Sequence, residues 1–222
     1  MVAAVSPDLR SELRQYLLDE GLRPGDRIEP EIRLAERFAV SRGKMREVLT
    51  TLCHEGVLER APRRGTVVRD LNPQRLGEDL RFRFELAGFD PADATEARAI
   101  IEAAILPLVL RRITPTQLRD LGQLVDHMAE NANRPRVADS ADKGFHLSLF
   151  RACGNQTLAT FSGVVESLFS DELRAKYQTP ECVRVAVGCH RALLDAIRRD
   201  DLAGAVAAQK AHFACGVQIN ES

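Results

Sequence analysis

In the first 70 residues the apolar positions fall into three short helical stripes followed by two β-prone runs. Leu9, Leu13, Tyr16 and Leu17 recur three and four apart, behind Ser6 and Pro7, which suit the cap and first turn of a helix. That helix stops near Gly21, and the turn LRPGD follows with its Pro-Gly punctuation. Pro30 to Ala39 predicts a second, short helix with Leu34, Ala35 and Phe38 inward. Ser41 then caps a third, in which Met45, Val48, Leu49 and Leu52 form the inward stripe. After Gly56, Val57–Arg60 and Thr66–Arg69 flank a basic turn and predict a hairpin. Three helices with a two-stranded wing make a winged helix-turn-helix domain.

The pattern changes at LNPQR, residues 71 to 75. From there on only helical periodicity recurs, broken at Gly88–Pro91, Thr114–Pro115, Asn133–Pro135, Gly154, Thr179–Pro180 and Asp200–Asp201. Six or seven helices result. The expected chain is mainly α: a winged helix-turn-helix domain at 1–70, a linker at 71–75, and an all-α helical bundle at 76–222.

Charge sharpens this division. The formal net charge of the 222-residue chain is −1, which by itself indicates no polyanion binder. Between Arg37 and Arg69, however, eight lysines and arginines face three glutamates. Residues 71–222 are slightly acidic, with 18 basic against 20 acidic side chains. Basic charge confined to one segment is an electrostatic footprint for nucleic acid. Five cysteines (53, 153, 182, 189, 215) without CxxC spacing read as free, buried thiols. The start lacks a signal-peptide pattern, and no stretch nears the roughly 20 apolar residues of a membrane span. A cytoplasmic protein with no membrane contact is expected.

The third helix answers what the basic segment would meet. Behind its apolar stripe, Arg42, Gly43, Lys44 and Arg46 occupy the N-terminal part that enters a major groove. Arginine bonds guanine O6 and N7 together, Gly43 allows close backbone approach, and Ser41 can both cap and meet a phosphate. Arg63, Arg64 and Gly65 form the wing tip. Any one of these arginines alone would read as a solvated charge; their order along the chain is what points to double-stranded DNA.

The segment from Leu22 to Val68 resembles the winged-helix signature of the GntR family of bacterial transcriptional regulators. The resemblance lies in the PGD turn, Glu31, Leu34-Ala35, Val40-Ser41-Arg42, Arg46-Glu47 and the Leu52…Glu55-Gly56 that leads to the wing glycine. It implies DNA contacts at Arg42, Lys44, Arg46 and the residues around Gly65. Ile32 stands where many members carry an arginine, and Gly43-Lys44 replaces a commoner pair of small or hydroxyl residues.

Four polar residues lie on apolar faces of the second half. Asp142 and His146, four apart, share a side with Leu149, Phe150 and Cys153. His190 shares one with Leu194 and Ile197, and His212 falls in the series Ala205, Ala208, His212, Cys215, Ile219. Buried polar groups need partners. Backbone or water, a metal-free His–Asp pair, a general base, or a divalent ion would each supply one. No nucleophile in a recognisable setting and no phosphate-cradling loop accompany them, so an enzyme is not expected.

The DKGFHLSLFRACGN stretch and the later CHRALLDAIRRDDLAGAVAAQKAHF are similar to the FCD ligand-binding domain of the FadR branch of GntR regulators. The resemblance implies that Asp142, His146, His190 and His212 coordinate a divalent transition metal, with zinc first and nickel, manganese or iron as alternatives. Arg98, in the segment matching the family's R..IE, would clamp a carboxylate of a small effector, or else pair with Glu102 at the surface. Asn155, of the GN motif, would cap a helix first and touch ligand second. The expected function is a homodimeric, metal-dependent transcriptional regulator, a repressor, reading a near-palindromic operator and controlled by a small organic acid. A purely structural metal, or a metalloenzyme fused to a DNA-binding head, are the rival readings.

Overall fold

A computed structural model describes residues 8–169 and 179–218, and the chain divides into two compact units at Leu71/Asn72. In the first, α1 (Leu9–Asp19), α2 (Glu31–Arg37) and α3 (Arg42–His54) precede the antiparallel strands β1 (Leu58–Ala61) and β2 (Gly65–Val68). Leu13, Tyr16, Leu17, Leu34, Ala35, Met45, Val48, Leu49 and Leu52 are buried together with Ile28 and Leu58. The expected stripes therefore do converge on one core. Ser6 and Pro7 lie outside the described residues; the cap observed on α1 is Asp8, whose carboxylate accepts from Ser11 N at 2.8 Å.

The hairpin register pairs Leu58 with Val68 and Ala61 with Gly65. Its tip requires left-handed backbone at Arg63 (φ 62°) and Gly65 (φ 85°), a conformation that glycine adopts without cost. The PGD turn adds a third edge that hydrophobic patterning did not suggest. Arg27 bridges to Val67, while Gly25 N and Ile28 N donate to the carbonyls of Val68 and Thr66 at 2.8 and 3.1 Å. The wing is thereby tied to the chain ahead of α2.

The second unit contains seven helices among the described residues: α4 (Pro73–Ala87), α5 (Pro91–Arg112), α6 (Pro115–Glu130), α7 (Pro135–Ala152), α8 (Gln156–Ser167), α9 (Pro180–Arg198) and α10 (Leu202–Gln218). Most start on a proline behind a capping side chain: Asn72, Asp90, Thr114 and Thr179 each accept from a first-turn amide. This corrects the expected linker at 71–75. Asn72 caps α4 and Pro73 is its first residue, so residues 73–75 are helical. The core, from Ile105 on α5 through Phe145 and Phe150 on α7 to Leu193 on α9, is formed by α5, α6, α7, α8, α9 and α10.

α4 attaches differently. Gly77 is its only buried residue, and the helix packs on α8. A Cβ on Gly77 would meet the carbonyl of Gly163, and a Cβ on Gly163 would meet the carbonyl of Pro73. Backbone rather than side chains makes this contact. Gly163→Ala should therefore cost about 1–3 kcal/mol of overpacking, although alanine is the better helix former by about 1 kcal/mol. Gly122→Ala on α6, where a Cβ meets nothing within 4 Å, should gain up to about 1 kcal/mol. Urea melts of the two variants should move in opposite directions.

Candidate functional site

The first candidate surface is the front of α3 with the wing. Ser41 Oγ accepts from Lys44 N at 3.2 Å, so the expected cap is in place. Ser41, Arg42, Gly43, Lys44 and Arg46 are exposed on one end of α3, opposite buried Met45, Val48 and Leu49. Two of the basic groups already have carboxylate partners. Lys44 Nζ lies 3.2 Å from Glu47, and Arg46 makes a two-pronged contact with Glu31, Nε to Oε2 at 3.2 Å and Nη2 to Oε1 at 2.8 Å. On the wing, Arg63, Arg64 and Gly65 are exposed. Arg64 Nη2 donates to Gly25 O at 2.8 Å, which fastens the wing to the PGD turn.

The second candidate lies inside the helical unit. Asp142 and His146 on α7, His190 on α9 and His212 on α10 bring one ligand atom each within 4.8 Å of one another. His146 Nε2 faces His212 Nε2 at 3.1 Å, and Asp142 Oδ1 stands 2.8 Å from His190 Nε2 and 3.7 Å from His146 Nε2. Three imidazole nitrogens and one carboxylate oxygen therefore converge. Ligands about 2.0–2.2 Å from a common ion stand roughly 3–4 Å apart, so these spacings suit one divalent ion. His146 and His190 are fully buried, whereas the Asp142 side chain keeps 19% of its surface accessible. Phe145 stacks on His190 with ring centroids 4.1 Å apart, walling the group on one side. The expected inward series on α10 continues to Cys215 and Ile219, whose side chains fall outside the described ones.

Behind His146 stands a residue that sequence reasoning did not single out as functional. Glu102 on α5 is completely buried, and its Oε2 receives His146 Nδ1 and Gln209 Nε2 from α10 at 2.5 and 2.6 Å. Its other oxygen meets Arg98 Nε at 3.0 Å. The Arg98–Glu102 pair foreseen at the surface thus exists in the interior. A signal was present: Glu102 follows Arg98 by four residues within the apolar run AIIEAAILPLVL, on the face that buries Ile105, Leu106 and Val109. With Nδ1 held against the Glu102 carboxylate, His146 turns Nε2 toward the cluster, the arrangement that orients metal-ligating histidines.

Electrostatics follow the geometry. Burial works to raise the Asp142 carboxyl, but His146 and His190 outweigh it and hold it well below the usual carboxylate range. Burial likewise opposes ionisation of Glu102, yet His146 and Arg98 keep it lowered. Burial disfavours charge on His146, and the Glu102 carboxylate overcomes this and raises it. Burial lowers His190 and takes His212 well below ordinary imidazole, the latter aided by the neighbouring histidines. Neutral His190 and His212 beside an ionised Asp142 are the protonation state a cation requires, and His146, held toward its charged form by Glu102, would give up its Nε2 proton on binding one.

Arg98 lies next to this group. Its guanidinium carbon sits 3.9 Å over the ring of Phe169 and 4.7 Å over that of Phe213, and both rings also approach His146 with centroids 5.9 Å away. Asn155 caps α8, its side chain accepting from Leu158 N at 3.2 Å.

The model of the bacterial regulatory proteins of the gntR family matches residues 7–68, and that of the FCD domain matches residues 93–214. The chain belongs to the GntR family, with an FCD domain as its second unit. This GntR regulator is 26% identical to the HTH-type transcriptional regulator LutR of Bacillus subtilis (strain 168), over 86% of its own length and 90% of the relative's. It is 27% identical to the galactonate operon transcriptional repressor of Escherichia coli (strain K12), covering 80% of each chain. Its fold matches that of the Streptococcus agalactiae GntR structure at a TM-score of 0.68, 23% identity, and coverage of 96% of this chain and 98% of the other. It is a DNA-binding transcriptional regulator rather than an enzyme. None of its described helices is long and apolar enough to cross a membrane.

Glu102 is the group on which the interior of this GntR regulator turns. Glu102→Ala removes a carboxylate shared by three buried side chains and should cost about 3–5 kcal/mol in urea unfolding. Glu102→Gln, which keeps the shape, should cost less.

Proposed function

We propose that this GntR regulator is a homodimeric repressor whose hold on a near-palindromic operator is set by a small organic acid, bound beside a divalent metal in the FCD unit. The observation that carries the reading is the convergence of Asp142, His146, His190 and His212 on one point, with Arg98 joined to them through Glu102. These four residues would hold the ion, zinc first and nickel, manganese or iron as alternatives. The ion, when bound, supplies a Lewis-acidic anchor for an effector oxygen. Arg98, whose guanidinium carbon lies over the rings of Phe169 and Phe213, would present a planar cation to a carboxylate. The relative that represses a galactonate operon makes sugar acids a natural part of the candidate set.

In the reader, Arg42, Lys44 and Arg46 approach base edges and phosphates, Ser41 and Gly43 allow close approach, and Arg63, Arg64 and Gly65 bring the wing to the adjacent groove. Each chain carries one such helix, so a homodimer reads two half-sites related by its two-fold axis. The effector controls binding only if it prefers one dimer state over the other.

A second reading keeps the DNA reader and makes the metal structural, because four protein donors already equal the complement of a closed zinc site. Two measurements separate these. Metal analysis of His190→Ala should show strongly reduced metal content; full occupancy would place the ion elsewhere. The melting temperature of the metal-loaded protein is then followed against a panel of small carboxylates, hydroxy acids and sugar acids. A ligand at about 100 times its Kd adds about 2.7 kcal/mol. A shift with one chemical class, lost in Arg98→Ala, supports the sensor. No shift anywhere in the panel supports the structural ion.

A further inference from the structure

We propose that Glu31 is a positioning residue for base reading by Arg46, and thereby a determinant of operator specificity. The proposal rests on α3 being the helix that reads DNA. Arg46 lies one turn into α3 beyond Arg42, and its side chain is 67% exposed. Glu31 is the first residue of α2, the other half of the helix-turn-helix, and its side chain is 20% exposed. The carboxylate is thus the anchored partner and the arginine the projecting one.

The geometry of the contact decides what remains of the guanidinium. Its five N–H donors are arranged in a planar fork. Glu31 takes the side edge, with Oε2 on Nε at 3.2 Å and Oε1 on Nη2 at 2.8 Å. The end edge, one N–H from each Nη, has no partner among the described residues. That edge has the spacing that meets O6 and N7 of guanine together. A long flexible side chain otherwise loses rotamer freedom on docking, and a clamp made before binding removes part of that loss. Glu31 also holds a negative charge at the DNA-facing surface. Charge alone would weaken binding to every duplex alike and would carry no sequence preference.

Two substitutions separate geometry from charge. Glu31→Gln keeps the length, removes the charge, and puts an amide NH2 where Arg46 needs an acceptor. Glu31→Asp keeps the charge but is one methylene too short to hold both prongs. Full-length wild-type, Arg46→Ala, Glu31→Gln and Glu31→Asp chains are each selected on a duplex library with a randomised core. Affinities are then measured on the wild-type consensus and its single-base variants. The expected result is a guanine preference in each half-site that Arg46→Ala abolishes. Both Glu31 variants should weaken it roughly tenfold, within the range a bidentate base contact supplies, with other positions unchanged. Glu31→Gln alone should bind all duplexes more tightly. Wild-type preference in both Glu31 variants, alongside its loss in Arg46→Ala, would overturn the positioning role while leaving Arg46 as the reader. A preference that survives Arg46→Ala would remove the premise, and sharper discrimination in Glu31→Gln would show that Glu31 withholds Arg46 rather than aiming it.

Discussion

A carboxylate with no solvent contact must find its charge partners inside the protein, and Glu102 meets that demand with groups from three helices. His146 arrives from α7, Gln209 from α10 and Arg98 from one turn back on α5. Removing an ion from water costs several kcal/mol, repaid only when geometry and hydrogen bonding are nearly complete. The packing of α5 against α7 and α10 is therefore bound to one arrangement of polar atoms as well as to shape. The same arrangement turns His146 Nε2 toward Asp142, His190 and His212. In this interior, the condition for burying a charge and the condition for assembling a metal-type donor set are one condition.

The reader follows a different logic, because its polar groups face water. Its three helices are held by a conventional apolar core, and the chemistry rides on the outside of α3. What the fold adds there is restraint. Lys44 and Arg46 are each paired with a carboxylate, Arg64 is fastened to the PGD turn, and the wing gains a third edge at Arg27. Exposed ion pairs contribute little to stability. Their consequence lies in where they leave the side chains before any partner arrives.

Between these two units the covalent path is short, since α4 starts two residues after Leu71. α4 meets the rest of its unit through Gly77 and Gly163, backbone on backbone. Helix α8, which receives it, is followed closely by Phe169, the ring that lies over Arg98 and against His146. The helix that begins the second unit is thus in contact with the helix that ends beside the candidate site.

Much of this was legible along the chain. The three- and four-residue spacing of apolar positions located the helices, because a helix on a core must place one face inward whatever its neighbours are. Proline and glycine marked nearly every boundary in the second unit. The four polar residues on apolar faces were visible for the same reason, as exceptions to a period. Ends were less legible: α4 took in residues that read as a linker, because Asn72-Pro73 is as good a helix start as a break. What periodicity cannot carry is which exceptions meet. Glu102 lies 44 residues from His146 and 107 from Gln209, and Glu31 lies 15 from Arg46. Those pairings depend on how helices cross, which is settled by the packing of whole faces and leaves no local trace. The sequence by itself determined the elements, their inward faces and the kinds of chemistry available. The tertiary structure alone decided that Glu102 stands behind the four, bonded to His146 and Gln209 and paired with Arg98 in the interior.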